Sequence, residues 1–409
     1  MKAQNVTKRI YLAFVIAFIF VTIFDPADIV FGLKVPLFIL CFFACGLFLT
    51  FNSGRSYVPL DLIIYMLLFV AIPFFSILVY FIKSGTDPYE GFNMLKAYLF
   101  IFFTLILVMT DIDVVKYLSA ILSLMSVCII SLFIFLLIYP DYFVVASALG
   151  SATEIFYVDM RSYDDITSFQ QAYFVCSPML VIPISYYYFR FRESNNRDFL
   201  ALFFLILCFT GLLMAGSRNN LFAAIFLIPT LYIIFNRKKI LPIIIISSLP
   251  MILLSFFMNE LVSFFDPSEV GNSIKLGYLT DYAEIFSNLN NLFFGQGLGA
   301  YYKFSGISDS YFVTELTYLE VIRNFGLFLG LAMFAMLVYP IFKTFRLKKH
   351  ALLQKHIAVA YTFYLIMCFT NPNLFSSMGI LILCIVLSGI YKKNDNCLNK
   401  NNKIDASYY

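Results

Sequence analysis

Residues 60–82 read LDLIIYMLLFVAIPFFSILVYFI, an apolar run with a single charged side chain. About 20 such residues are enough for a helix to cross the hydrocarbon core of a bilayer, so this stretch predicts a transmembrane helix. Similar runs recur almost from one end of the chain to the other. The sequence therefore predicts an all-α, polytopic integral membrane protein with a single membrane-embedded domain over residues 1–409.

The composition excludes a soluble globular protein. Hydrophobic residues make up 61% of the chain and charged residues 13%, whereas about a quarter of a typical soluble protein is charged. The net charge is only +4 at pH 7, which gives no support to a nucleic-acid partner. Seven of the eight cysteines lie in apolar runs and the two histidines lack metal-ligating neighbours, so we expect neither a structural disulfide nor a metal site.

About twelve segments meet or nearly meet the length of a membrane span. Lys and Arg accumulate in cytoplasmic loops, and a cytoplasmic N-terminus puts every strong basic cluster on that same side. We therefore expect both termini in the cytoplasm. The expected spans are residues 9–24, 35–51, 60–82, 94–110, 117–139, 172–189, 199–215, 220–235, 240–257, 316–342, 351–370 and 378–391.

Two loops on the opposite side are long enough to carry a function. Residues 140–171 include Arg161 among several aspartates, and residues 258–315 include a segment rich in glycine and tyrosine. Apolar residues at roughly helical spacing within 276–286 predict a short amphipathic helix against the membrane surface. The stretch Gly295-Gln-Gly-Leu-Gly299 lacks the spacing of a nucleotide-binding loop and predicts a tight turn.

Arg218 lies in the polar segment Gly216-Ser-Arg-Asn-Asn220 between two apolar runs. One interpretation is an arginine that ends a helix and extends its charged group to the membrane surface. The other is a planar guanidinium that binds a lipid-linked phosphate group through two parallel hydrogen bonds. The sequence leaves both interpretations open.

Three more charged residues surround the start of the tenth span. Glu320 and Arg323 are three residues apart, so they meet on one face of an exposed helix start and can simply neutralise each other. Glu315 has no basic residue three or four positions further on. A carboxylate near an apolar boundary without such a partner is costly to ionise, which makes Glu315 a candidate general base.

The order and spacing of these motifs resemble the O-antigen polymerase and O-antigen ligase superfamily. The resemblance covers residues 199–345 well and the remainder only by its pattern of spans. It implies a multi-span glycosyltransferase of the bacterial inner membrane that uses undecaprenyl-diphosphate-linked sugars on the periplasmic face, without a cofactor or an essential metal. The matching motifs are Gly-Ser-Arg218, the outer loop with Gly295-x-Gly297-x-Gly299-x-Tyr301, and Tyr318-Leu-Glu320 followed by Gly326.

The resemblance also implies roles for individual residues. Arg218 and Arg323 would hold the diphosphate, with Glu315 as the third catalytic candidate. Ligases carry a histidine three residues before the Tyr-Leu-Glu motif, and this chain has Glu315 there, which favours a polymerase over a ligase. The expected substrate-binding residues are Arg161, Lys275, Tyr301, Tyr318 and Glu320.

The leading hypothesis is a repeat-unit polymerase that builds O-antigen or a related surface polysaccharide. Its partners would be undecaprenyl-diphosphate-linked oligosaccharide, membrane lipid and a chain-length regulator protein. One alternative is an O-antigen ligase that transfers glycan to lipid A-core. Another is a polysaccharide flippase or other transporter, for which we would expect charges or broken helices at mid-membrane; charges within the spans are nearly absent.

Overall fold

The structure is a computed structural model that describes residues 2–51, 58–110, 112–164, 167–235, 270–302, 314–347 and 351–391. Eight helices within these ranges are long and apolar enough to cross a membrane, by length and composition. Two shorter apolar helices, Phe199–Met214 and Ser377–Tyr391, accompany them. The prediction of a helical, polytopic membrane protein is confirmed at this level.

The described ranges contain fifteen α-helices and one β-hairpin. Short 3₁₀ turns at Phe100–Phe102, Pro140–Tyr142, Ser177–Leu180 and Cys368–Thr370 extend or join some of them. In chain order the helices are α1 (Lys2–Phe24), α2 (Lys34–Phe51), α3 (Leu60–Ser84), α4 (Tyr89–Leu99), α5 (Phe103–Met109), α6 (Val114–Ile138), α7 (Phe143–Thr153), α8 (Val181–Glu193), α9 (Phe199–Met214), α10 (Arg218–Phe235), α11 (Val270–Ser287), α12 (Leu289–Phe294), α13 (Thr317–Phe345), α14 (Leu352–Met367) and α15 (Ser377–Tyr391).

Most of the expected spans correspond to these helices, because long apolar runs have no stable alternative in lipid. The expected span at 94–110 is built from α4, a 3₁₀ turn and α5. The expected span at 172–189 is wrong at its start, where a strand runs to Phe174 and the helix proper begins at Val181. The expected span at 240–257 and residues 258–269 and 303–313 of the long loop lie outside the described residues.

Polar contacts join helix ends that the alternating topology places on the same side. At one end of the bundle, which we call the basic end, Lys343 Nζ of α13 lies 2.6 Å from both Asp61 Oδ2 of α3 and Tyr391 Oη of α15. At the opposite end, Lys83 Nζ of α3 donates to the carbonyl oxygen of Gly295 at 2.6 Å. Because residues 295–300 lie there, we call this the loop end. The orientation of the two ends in a membrane stays a prediction.

The loop at 140–171 contains structure that the sequence reading did not anticipate. Helix α7 is followed by strands β1 (Phe156–Asp164) and β2 (Thr167–Phe174), which pair as an antiparallel hairpin. The Phe156 and Phe174 rings stack across the hairpin with centroids 5.2 Å apart. The expectation of an all-α fold is therefore wrong for this segment. The consecutive strand-favouring residues Phe156, Tyr157 and Val158 were the available signal.

Helix α13 is broken at Gly326. That residue has φ 72° and ψ 173° inside an otherwise helical segment, a conformation open almost only to glycine. The first part of α13 therefore covers about two turns before the break, and the long apolar part follows it. Buried residues on both sides, including Phe325 and Met333, place the break in the interior of the bundle.

Candidate functional site

The glycine-rich segment 295–299 is inserted between helices at the loop end. Glycines 295, 297 and 299 all have positive φ, as the predicted tight turn requires. A Cβ on Gly297 would lie 2.5 Å from the backbone nitrogen of Tyr80, and one on Gly299 would lie 2.5 Å from that of Gly91. The loop backbone therefore packs directly against the backbones of α3 and α4, and side chains are excluded at these positions.

The break in α13 and the inserted loop complete each other's hydrogen bonds. Without a continuous helix beyond Gly326, carbonyl groups of the preceding turn need other donors. The Gln296 backbone N–H donates to the Arg323 carbonyl at 2.6 Å. The Ser76 hydroxyl donates to the Asn324 carbonyl at 2.6 Å and accepts from the Leu298 N–H at 2.9 Å. Irregular backbone is tolerated inside a helical bundle because other parts of the protein supply its hydrogen-bond partners.

Arg323 and Glu320 form the centre of a buried polar network. Arg323 is 0% exposed and Glu320 5% exposed. The guanidinium donates from Nε to Glu320 Oε2 at 3.0 Å and from a terminal nitrogen to Glu320 Oε1. Its other terminal nitrogen donates to Gln296 Oε1 at 3.1 Å and to the Ala300 carbonyl at 2.9 Å. This network ties the first part of α13 to the inserted loop.

The Glu320 carboxylate accepts hydrogen bonds from further residues besides Arg323. Tyr282 Oη of α11 donates to Glu320 Oε2 at 2.6 Å, and Asn324 Nδ2 donates to Oε1 at 3.0 Å. The Thr314 hydroxyl lies 2.5 Å from Tyr282 Oη and joins the same network. Burial and the nearby Glu320 charge raise the pKa of the Tyr282 phenol, so this hydroxyl remains a neutral donor.

One expectation about this pair needs correction. The sequence correctly predicted that Glu320 and Arg323 meet on one helix face, but the helix start is buried rather than exposed. The expected diphosphate role of Arg323 also meets an obstacle, because its two terminal nitrogens and Nε already donate to Glu320, Gln296 and Ala300. An approaching phosphate would have to separate a buried ion pair. The diphosphate role of Arg323 and the substrate-binding role of Glu320 stay predictions.

The helix expected within 276–286 is present as part of α11, but apolar residues lie on both of its faces, and its position against the membrane surface stays a prediction. Tyr278, Tyr282 and Ile285 point to one side and pack against Leu316 at the start of α13. The opposite side exposes apolar residues such as Leu279. Helix α11 is therefore fixed to the bundle through the buried network and through this small apolar cluster.

Arg218 lies at the start of α10 and takes no part in the described hydrogen bonds of the Glu320–Arg323 network. It is the first residue of α10, where the Ser217 hydroxyl accepts the Asn220 N–H at 3.2 Å and caps the helix. A cation at a helix N-terminus opposes the helix dipole, which costs about 0.3–1 kcal/mol. The same dipole and the open N–H groups favour an anion. Arg218 is half-buried, so a phosphate at this position would meet both the guanidinium and the helix terminus.

Hydrogen bonds link the residue after Arg218 to the segment that contains Glu315. Asn219 Nδ2 donates to Thr370 Oγ1 at 2.5 Å. The next residue, Asn371, accepts from the Thr317 hydroxyl through its carbonyl at 2.7 Å. The Thr317 N–H in turn donates to the Glu315 carbonyl at 2.9 Å. We call Arg218, Asn219, Glu315, Thr317, Thr370 and Asn371 the rim cluster.

Glu315 lacks a basic neighbour three or four positions further on, as the sequence shows, but the structure supplies an ionic partner from elsewhere. Lys275 Nζ of α11 lies 3.5 Å from Glu315 Oε2. This partner lies on another helix, forty residues earlier in the chain, so local spacing does not indicate it. The Glu315 side chain is 53% exposed, so it is accessible rather than confined at an apolar boundary. Burial raises the pKa of the Tyr173 phenol in β2, and the negative charge of Glu315 adds a smaller increase.

The other expected substrate-binding residues fall into three situations. Tyr301 is 50% exposed beside the inserted loop and remains accessible to a ligand. The Tyr318 hydroxyl donates to the Leu365 carbonyl at 2.6 Å, and its ring packs on Phe334 and Phe369, which makes it a contact between helices. Arg161 lies on β1 opposite Phe169, and its side chain is outside the described part of the structure.

Sequence reasoning missed several polar residues of the loop end. Asn219, Thr370 and Asn371 join Arg218 to the start of α13, and Asn373 Nδ2 donates to the Val175 carbonyl at 3.0 Å beyond β2. The available signal was the segment Thr370-Asn-Pro-Asn373 at the end of an apolar run, because polar amides at such a boundary need partners.

Neither a protein-family model nor a curated protein matches the sequence. The family resemblance is therefore carried by the motifs quoted above and by nothing broader. Within the described residues, no group of three or more His, Cys, Asp or Glu side chains could hold a metal ion.

Proposed function

We propose that the protein is a polymerase of lipid-linked oligosaccharide repeat units. The observation that carries this proposal is the rim cluster at the loop end, where hydrogen bonds from Asn219, next to Arg218, and from Thr317, near Glu315, reach the neighbouring residues Thr370 and Asn371. An arginine at a helix N-terminus suits a diphosphate. A partly exposed carboxylate suits the deprotonation of a sugar hydroxyl. The motif resemblance supports the same chemistry.

The proposed reaction transfers the growing glycan from its carrier to an incoming lipid-linked repeat unit. The acceptor hydroxyl oxygen attacks the anomeric carbon of the donor, and a new glycosidic C–O bond forms. The bond from that carbon to the diphosphate oxygen breaks, and its electron pair leaves with undecaprenyl diphosphate. Glu315 takes the hydroxyl proton, and Arg218 stabilises the negative charge that develops on the diphosphate.

Under this proposal the buried network has a supporting role. It fixes residues 295–300 and α11, and α11 presents Lys275 to Glu315. Lys275 would hold the carboxylate in place before substrate binds. The periplasmic location of the loop end and the bacterial inner membrane as the site of action belong to the same proposal.

The direct test is reconstitution of the purified protein in lipid nanodiscs with a synthetic undecaprenyl-diphosphate-linked repeat unit. We expect a ladder of glycans that differ by one repeat and remain attached to one lipid carrier. A ladder should form without lipid A-core. Transfer only when lipid A-core is added would identify a ligase and contradict the proposal.

A transporter is the second candidate, because the break at Gly326 and the buried Glu320–Arg323 pair lie within a membrane-spanning helix. Broken helices and buried charges are features of transporter binding sites. In this chain, however, the described partners of both charges come from the protein's own loop and helices. Movement of lipid-linked repeats across vesicles without any ladder would favour the transporter.

Arg218→Lys should abolish ladder formation while the protein still accumulates at its normal level. Lysine keeps the charge but loses the planar pair of donors that binds a diphosphate. The measurement is the ladder in nanodiscs, with protein level and size-exclusion profile determined alongside. A normal ladder from Arg218→Lys would leave Arg218 as a surface-seeking residue and would contradict its role at the diphosphate.

Glu315→Gln should lower the polymerisation rate by roughly 10²–10⁴-fold, the usual contribution of a general base. The variant should still bind the lipid-linked repeat, since glutamine keeps the shape of the side chain. Glu284→Gln is the matched control, because Glu284 is an exposed glutamate on neighbouring α11. Equal rates for Glu315→Gln and Glu284→Gln would remove Glu315 from the chemistry.

A further inference from the structure

Helix α7 exposes an apolar stripe that the rest of the described structure leaves uncovered. Val144 is 75% exposed, Val145 62% and Leu149 55%. Val145 and Leu149 lie one turn apart on the same face of the helix, and Val144 borders that face. Gly150 is the only buried residue of α7.

The charge pattern around α7 marks where this segment meets water. Residues 142–153 contain no charged side chain, whereas Asp141 and Glu154 on either side are exposed. An exposed helix without charges is unusual in water, because removal of its apolar surface from water lowers the free energy. With eleven residues, α7 is also much shorter than the roughly 20 needed to span a bilayer.

The stripe continues a surface that faces lipid. Helix α6 is long and apolar enough to cross the membrane, and its last turn exposes Leu137 and Ile138. The following residues, Tyr139 and Tyr142, are also exposed. Tyrosine is enriched where a protein passes through the membrane interface. An apolar surface therefore runs from α6 through two tyrosines into α7 without an intervening charge other than Asp141.

We infer that α7 is an interfacial helix whose Val144, Val145 and Leu149 face is embedded in the outer edge of the lipid layer at the loop end. The lipid bilayer surface is the partner that covers this face of α7. An apolar helical face of this kind enters about 5–10 Å into the boundary between headgroups and acyl chains. The β-hairpin begins three residues after the last residue of α7 and is fixed to it where Gly150 meets Phe156. The embedded helix thus holds the hairpin at the height of the lipid headgroups.

The test uses a small fluorescent amino acid placed singly at Val145 or Leu149 in the full-length protein in nanodiscs. Asp141 serves as the water reference and Phe75, a 54% exposed residue of α3, as the lipid reference. Brominated lipid should quench the probes at Val145 and Leu149 more than the probe at Asp141, approaching its effect at Phe75. Aqueous iodide should show the opposite order.

Two results would overturn the inference. Strong iodide quenching with no effect of brominated lipid would place α7 in water. Protection from both quenchers would mean that another part of the chain, or a second copy, covers the stripe. Each variant is used only if it runs as a single species on size exclusion, and the two stripe positions check each other. Polymerase activity does not enter the measurement, so the result is independent of the proposed function.

Discussion

Gly326→Ala protein should fail to reach the folded state or should lose it at a much lower temperature than the parent. The native φ of 72° and ψ of 173° cost a non-glycine residue about 1–3 kcal/mol. The new Cβ would also collide with the Phe293 carbonyl and lie 2.6 Å from the carbonyl carbon of Phe294. Relief of that contact requires the end of α12, directly before the inserted loop, to move away from α13.

Gly330→Ala is the matched control, because it lies four residues further along the same helix. A Cβ there would meet its nearest neighbour, the Ile322 Cα, at 3.6 Å, an ordinary contact. Alanine in a helix interior is favoured over glycine by about 0.5–1 kcal/mol. The measurement is the fraction of detergent-solubilised protein that stays monodisperse after stepwise heating. Equal midpoints for the two variants would show that the break does not need glycine.

Glu320→Gln should destabilise the fold by about 3–5 kcal/mol, the range for removal of one partner from a buried ion pair. The Arg323 charge would remain at a position that is 0% exposed. Asp61→Asn removes a carboxylate from the Lys343 ion pair, but the Asp61 side chain is 54% exposed, and the expected loss is at most about 1 kcal/mol. Heating of the purified proteins measures both changes.

The double variant Glu320→Gln/Arg323→Met separates charge burial from the loss of specific contacts. With the uncompensated charge removed, it should be more stable than Glu320→Gln alone. A positioning role further predicts that each folded molecule of Glu320→Gln retains most of its activity at a temperature where it is intact. Normal stability combined with abolished activity would instead assign the pair to catalysis.

The sequence was sufficient to predict features that depend on neighbouring residues. Long apolar runs fixed the helices, and the glycines at 295, 297 and 299 indicated the turn that positive φ values confirm. The spacing of Glu320 and Arg323 predicted their contact on one helix face. Each of these rests on local geometry or on hydropathy, which a single sequence contains.

Features that depend on distant segments could not be predicted. Glu315 was read as unpartnered because its ionic partner, Lys275, is forty residues away on another helix. The Glu320–Arg323 pair is buried because Gln296 and Tyr282, from distant segments, pack beside α13. Exposure is a property of the assembled bundle, so a helix start that reads as exposed can lie in its interior. The roles of Arg218 and Glu315 stay predictions.

The inserted loop also has a consequence for how the chain is made. Its binding position includes Ser76, whose hydroxyl bonds to the carbonyl of Asn324, 248 residues later in the chain. At about 5–20 residues per second of synthesis, α3 waits roughly 10–50 s in the membrane before its partner emerges from the ribosome. During that interval the backbone around Tyr80 and Gly91 lacks the loop that later packs against it. Biogenesis of this protein therefore includes a late docking event, and insertion factors that shield α3 and α4 have a defined period in which to act.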